Sequence, residues 1–287
     1  MERRTALSSF LAILAGLTAP KAARALPRSR FFVSSDGVRL HYLDDGSGQA
    51  IIFVPGWDMP GWIWQQQLDA FAPLFRVVAF DPRSQGESEI ARSGHEPVRR
   101  AQDIAELMAQ LDVTQAVLVG WSLGVLDVLA YIHTHGDAKV AGLVLVDNSV
   151  GEEPPPVTKI SGSPGSRPTT RASAMAAFVR RMFVTPQSDA YLNRLTQAAL
   201  RTPPDISAKL LSYPEPRTYW REAIYSTARP VLYVVRPGFA GQAANLAAKR
   251  PNTQTAIVTD AGHAMFVDRP AEFNQLMYGF MRQRIWR

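Results

Sequence analysis

Gly120-Trp121-Ser122-Leu123-Gly124 sets a serine hydroxyl between two glycines, the setting of a nucleophile. An apolar, β-branched run at residues 116–119 leads in, and a helix-like run at 125–131 leads out. A serine on so tight a strand-to-helix turn sits in strained backbone geometry. The residues two before and two after it must be nearly free of side chain, as Gly120 and Gly124 are. The turn lifts the hydroxyl out of the sheet. It also leaves the Leu123 amide at a helix N-terminus, where the positive end of the dipole can meet a developing oxyanion. G-x-S-x-G also arises by chance, so its partners decide its meaning.

A serine hydroxyl needs a base, and the base needs a group to orient it. The candidate base is His263, in Asp260-Ala261-Gly262-His263-Ala264-Met265-Phe266, a loop between the last expected strand and the last expected helix. The glycine before it is expected to let that loop turn sharply toward the serine. His41 falls inside an early strand, His95 in a loop, and His133 and His135 at the end of the helix after Ser122. A second oxyanion donor is expected from Val54-Pro55-Gly56-Trp57-Asp58, where Gly56 lets the Trp57 amide turn inward beside that of Leu123.

The elements that must position these groups follow from periodicity. Residues 30–34 and 38–43 read as two strands around the turn dipeptide Asp36-Gly37. A buried strand is expected at 50–54, and further strands at 76–80, 116–119, 141–146, 230–235 and 253–259. Helices are expected at about 62–72, 96–111, 240–249 and 270–284. Residues 151–226 break this alternation with a Pro-, Gly- and Ser-rich stretch and then helical segments at 171–183, 188–200 and 206–213. Buried strands alternating with helices give an α/β fold, a mostly parallel, doubly wound sheet covered on both faces. The expected organisation is a core of residues 26–150 and 227–287, with 151–226 a helical cap inserted between the sixth and seventh strands.

Pro55-Gly56-Trp57, Asp81-Pro82-Arg83-Ser84-Gln85-Gly86-Glu87-Ser88, the Ser122 turn and Gly262-His263 together resemble the α/β-hydrolase superfamily, in its esterase, cofactor-free haloperoxidase and C–C hydrolase group. The motifs are spread over most of residues 30–287 in the family's order. They are specific for fold and weakly specific for substrate. The resemblance implies Ser122 as nucleophile, His263 as base and an acid between them in the chain. Two departures stand out. Many members carry His-Gly where this chain has Pro55-Gly56. The family usually places its acid just after the strand that follows the cap, and residues 234–242 contain no carboxylate. Asp147, after the preceding strand, is the expected substitute; a Ser122–His263 dyad or a weakly catalytic relative are the alternatives. Asp260, Glu152 and Glu153 fit the position less well.

The resemblance implies hydrolysis of a small to medium, largely apolar ester or lactone through an acyl-enzyme. C–C cleavage, peracid formation and a non-catalytic ligand-binding role are the alternatives. Trp121, Met265 and Phe266 are expected to wall the substrate pocket, with Tyr219 and Trp220 adding to it from the cap. A serine in the turn argues against haloalkane dehalogenase and epoxide hydrolase chemistry, which use aspartate there.

Composition sets the outer bounds. Apolar residues make up 46% of the 287 and charged residues 20%, which suits a globular chain with a real core. With no cysteine there is no disulfide framework, thiolate metal site or cysteine nucleophile. The five histidines show no metal-ligand spacing. No cofactor and no metal are expected. Residues 1–25 read as a signal peptide: basic Arg3-Arg4, an apolar run at 7–19, and Ala23-Arg24-Ala25 as cleavage site. Arg3-Arg4 also resembles a twin-arginine signal. The run is short of the ~20 residues a membrane span needs, so export to the periplasm or beyond is expected, with no span in the mature chain. The segment carries Arg3, Arg4, Lys21 and Arg24 against Glu2, so half of the formal +6 leaves with it. The remaining charge is dispersed, and short pairs such as Arg99-Arg100 and Arg180-Arg181 read as helix surface, which argues against a nucleic-acid partner. A small-molecule substrate is the expected partner, and oligomeric state is not encoded in any of these features.

Overall fold

Alternating side chains in the central strands divide the core into two layers. In strand β3 (Ala50–Val54), Ala50, Ile52 and Val54 face one layer, while Ile51 and Phe53 face the other. A computed structural model describes residues 26–155 and 169–286. The expected signal peptide, and residues 156–168 of the expected hinge, lie outside the described residues. Among the described residues, eight strands form one sheet in the order β1-β2-β4-β3-β5-β6-β7-β8. The others are β1 (Arg28–Val33), β2 (Arg39–Asp45), β4 (Arg76–Asp81), β5 (Ala116–Trp121), β6 (Val140–Val146), β7 (Val231–Val235) and β8 (Thr253–Ile257). β1 and β2 pair antiparallel, and β2 runs antiparallel to β4; from β4 to β8 the pairing is parallel. Every residue of β3, β5, β6 and β7 is buried, as a parallel sheet covered on both faces requires.

One face carries α2 (Pro97–Gln110), α3 (Leu123–His135), α7 (Arg217–Ser226) and α8 (Ala240–Lys249), through residues such as Leu107, Leu129, Ile224 and Leu246. The other carries α1 (Gln65–Phe71) and α10 (Pro270–Arg284), through Leu68 and Met277. The segment between β6 and β7 contains α4 (Arg171–Arg181), α5 (Asp189–Arg201), α6 (Pro204–Leu210) and α7. A short helix, α9 (Met265–Asp268), follows the His263 loop.

Helix α7 was not expected from its sequence, RTYWREAIYS, which is rich in aromatic and β-branched residues. Tertiary packing overrides that weak propensity: Trp220, Ala223 and Ile224 form a buried stripe, and α7 packs along α3. The parallel strands end on one rim, where β5 delivers Ser122, β6 delivers Asp147 and β7 delivers Arg236.

Candidate active site

The turn at Ser122 has φ 54° and ψ −120°, backbone that an L residue rarely adopts. Its glycines are needed for space. A β-carbon on Gly120 would stand 2.3 Å from the Gly124 carbonyl oxygen, and one on Gly124 would stand 2.4 Å from that of Val54. The strained residue is held at both ends. The Ser122 amide donates to Val146 O at 2.9 Å, and Asn148 Nδ2 donates to Ser122 O at 2.8 Å. Its hydroxyl makes no hydrogen bond among the described residues; such contacts commonly tighten only once substrate is bound.

Asp147 reaches His263. Nδ1 of the imidazole lies 2.6 Å from Oδ2 of the carboxylate, from which solvent is excluded. This leaves Nε2 as the free ring nitrogen. Asp147 itself sits at φ 51° and donates its amide to Val234 O at 2.9 Å, so the neighbouring strand fixes its backbone. The competing carboxylates bond elsewhere. Asp260 pairs with Arg269 at 2.7 Å on the surface, and Glu152 is buried between Tyr225 and Lys249.

The His263 loop is pinned on three sides. Trp121 Nε1 donates to His263 O at 2.8 Å, the Ala264 amide to Met182 O at 3.0 Å, and the Gly262 amide to Asp268 Oδ2 at 2.7 Å. Gly262 is required for close approach: a β-carbon there would stand 2.3 Å from Met182 O. The sharp turn expected of it is not left-handed backbone, because its φ lies outside that region.

Gly56 answers the same kind of constraint, its added β-carbon meeting the Ser122 β-carbon at 3.0 Å and the Trp121 ring at 3.2 Å. The positive φ of this loop falls instead on Asp58, at 56°. Neither the Trp57 nor the Leu123 amide meets an acceptor among the described residues, so both remain free to donate. The loop is tied to α6: Trp57 Nε1 donates to Ser207 O at 2.8 Å, and Ser207 Oγ donates to Asp58 Oδ2. Burial pushes the Asp58 carboxyl up to about 6, against the opposing hydrogen bonds from Ser207 and Thr202.

The sequence model of the alpha/beta hydrolase family matches residues 51–276. This chain belongs to the alpha/beta hydrolase family. It is a hydrolase. A non-heme haloperoxidase of Rhodococcus erythropolis is 30% identical over 203 residues, which cover 69% of this chain and 69% of that protein. An esterase of known structure from Rhodococcus sp. ECU1013 is 26% identical with a TM-score of 0.75, covering 89% of this chain and 99% of its own. A bromoperoxidase from Bacillus anthracis shares the fold at 20% identity and TM-score 0.74, over 89% of this chain and 100% of that one.

Three side chains expected to wall the pocket of this α/β-hydrolase have a different setting. Trp121, Met265 and Phe266 are each at most 1% exposed, in the core layer that holds Trp64 and Phe273. Phe266 stacks on Trp64 with ring centroids 3.7 Å apart, and Trp121 packs edge-on to Phe266. Their visible work is to anchor the His263 loop from below. Tyr219 and Trp220 are also displaced from the expected site: α7 lays Tyr219 on His133 and directs Trp220 Nε1 to Leu126 O, both on α3. The half-buried aromatic pair beside the Gly56 loop is Trp57 and Phe178, edge to face at 5.3 Å.

Sequence reasoning missed Arg236, Asn148 and the Asp58–Ser207 pair. Arg236 had a signal. It is the first residue after β7, where the family's acid is expected, but it carries the opposite charge. Two other histidines are engaged elsewhere: His41 Nδ1 with Asp81 at 2.7 Å and His95 Nε2 with Ser84 at 2.9 Å.

Proposed function

We propose that this α/β-hydrolase is a serine ester hydrolase, acting on small to medium, largely apolar carboxylic esters or lactones through an acyl-enzyme on Ser122. The observation that carries the reading is the 2.6 Å contact between His263 Nδ1 and the solvent-shielded Asp147 carboxylate, on the rim that also bears the strained Ser122.

Ser122 Oγ attacks the ester carbonyl carbon while His263 Nε2 takes its proton. The carbonyl oxygen becomes an oxyanion, held by the amides of Trp57 and Leu123, each worth about a hundredfold to a thousandfold in such sites. Collapse of this intermediate expels the alcohol, which leaves with the proton from His263. Water then attacks the acyl-serine with His263 again as base, and the acid is released. Asp147 orients the imidazole and balances the imidazolium formed in each half. Pro55 in place of the family's histidine removes a side chain that braces the loop, and the bonds from Trp57 and Asp58 to Ser207 supply a brace from the cap.

The preference for neutral, apolar acyl groups is supported by the Trp57–Phe178 pair beside the oxyanion loop. Relatives named as haloperoxidases support a second outcome on the same acyl-serine: hydrogen peroxide in place of water gives a peracid. A panel of p-nitrophenyl esters and lactones of graded acyl length, with Ser122→Ala as the blank, tests the reading. Turnover by the wild type that Ser122→Ala abolishes is expected, and turnover that survives the substitution contradicts it.

Export belongs to the same proposal. The basic, apolar and Ala-x-Ala segments of residues 1–25 support it, and among the described residues no helix is long and apolar enough to cross a membrane. Full-length protein retained in the cytosol, with its N-terminus uncleaved, would refute it.

A further inference from the structure

We infer that Arg236 is a positioning residue for the acid–base pair, holding the Asp147 carboxylate so that one oxygen stays aligned with His263. The inference rests on the acyl-enzyme reading and names the part of that machinery that compensates for the moved acid.

The geometry is a chelate. Arg236 donates its backbone amide to Asp147 Oδ1 at 3.0 Å and its side-chain Nε to Oδ2 at 2.6 Å. Both donors belong to one residue, and they engage both oxygens of one carboxylate. Oδ2 keeps its contact with His263 Nδ1, also at 2.6 Å. The terminal torsion of an aspartate is broad and roughly two-fold, so a single imidazole contact would leave the carboxylate plane free to swing. Two donors, one on each carboxylate oxygen, restrict that freedom.

The strands explain why this residue can reach. Val146 of β6 lies opposite Val234 of β7, and Asp147 donates its amide to Val234 O. Arg236 therefore emerges from β7 directly beside Asp147. A carboxylate displaced by one strand has gained a counter-ion at the place where the family's own acid is expected.

Two effects of the guanidinium oppose each other. It aligns and neutralises Asp147, but it also brings a positive charge near a ring that must become positive. Its Nη2 is 3.5 Å from His263 Nδ1, too long for a useful hydrogen bond. The Arg236 side chain is 40% exposed and the Asp147 side chain 0%, so water screens the repulsion more than it weakens the 2.6 Å contact on the shielded carboxylate. Alignment wins, and removing the guanidinium slows the chemistry. An ordinary surface ion pair would leave turnover unaffected.

The test is a double-mutant cycle on full-length protein, using p-nitrophenyl butyrate and a fluorophosphonate. Arg236→Met should lower kcat by about tenfold to a hundredfold with KM held within about twofold, the range for losing an orienting partner. Arg236→Lys, which keeps the charge but not the planar guanidinium, should fall between it and the wild type. In an Asp147→Asn background, adding Arg236→Met should cost less than about twofold, because its target is already gone. Wild-type kcat in Arg236→Met, or the same loss in both backgrounds, overturns the inference. Should Arg236→Met fail to fold, Arg236→Lys in both backgrounds carries the same comparison. A wild type that does not react with fluorophosphonate refutes the acyl-enzyme reading itself. A wild type that reacts no faster than Arg236→Met refutes only the role of Arg236.

Discussion

Gly56 and Ser122 approach so closely that a β-carbon on the glycine would lie 3.0 Å from that of the serine. The oxyanion loop and the nucleophile turn thus form one contact surface, and the Trp57 amide owes its position to the absence of one methyl group.

Gly56→Ala should therefore move the loop without unfolding the protein. Displacing one oxyanion donor predicts a kcat lower by about a hundredfold or more, with thermal stability changed little. Steady-state kinetics alongside a melting curve checks it. Unchanged kcat would mean that the Trp57 amide takes no part.

Asp147→Asn should lower kcat on an activated ester by about three to four orders of magnitude, as loss of the orienting acid does elsewhere. Asp260→Asn, three residues before the histidine but bonded to Arg269 on the surface, should leave it unchanged. Kinetics of the two variants side by side separates a triad from a dyad, since a dyad would tolerate Asp147→Asn.

Much of this was legible because it is local. A β-branched run, two glycines and a helical run define the Ser122 turn within a dozen residues, and the same physics placed each buried strand. Asp147 was legible through the family resemblance, which allows an acid after the preceding strand where the segment after β7 has no carboxylate. Arg236 was legible as a position, the first residue after β7, but not as a partner: its contact with Asp147 depends on how far a side chain reaches between two strand ends. Trp121, Met265 and Phe266 neighbour the site in sequence, yet their side chains are buried in the core layer that holds Trp64 and Phe273. Sequence proximity cannot specify which way a side chain points. Helix α7 was missed because the packing of Trp220 and Ile224 on α3, not helix propensity, makes it a helix.

Asp58 gives the stability a pH dependence. Burial raises its carboxyl from 3.8 to about 6, so the folded state favours the protonated form. The stabilisation from that proton is complete below the unfolded value and is lost as pH rises through about 6. Asp58→Asn removes the buried charge and keeps an acceptor for the Ser207 hydroxyl. Relative to wild type it should gain up to about 3 kcal/mol between pH 4 and pH 8, because each tenfold difference in proton affinity between folded and unfolded chain is worth about 1.4 kcal/mol. Urea midpoints at the two pH values check this, and a difference that does not change with pH contradicts it.

Phe178 packs edge-on to Trp57 and carries a prediction about chain length. Phe178→Ala should lower kcat/KM for an octanoate ester by about tenfold while sparing the acetate, the scale of losing a few methylene contacts. An equal loss on both esters would assign Phe178 to folding rather than to the acyl group.

The central claim is a covalent acyl intermediate on Ser122. Mass spectrometry of the folded protein after fluorophosphonate treatment tests it most directly. A single stoichiometric adduct on the peptide containing Ser122, absent from Ser122→Ala, is predicted. No adduct on the folded wild type, or one that persists in Ser122→Ala, would contradict it.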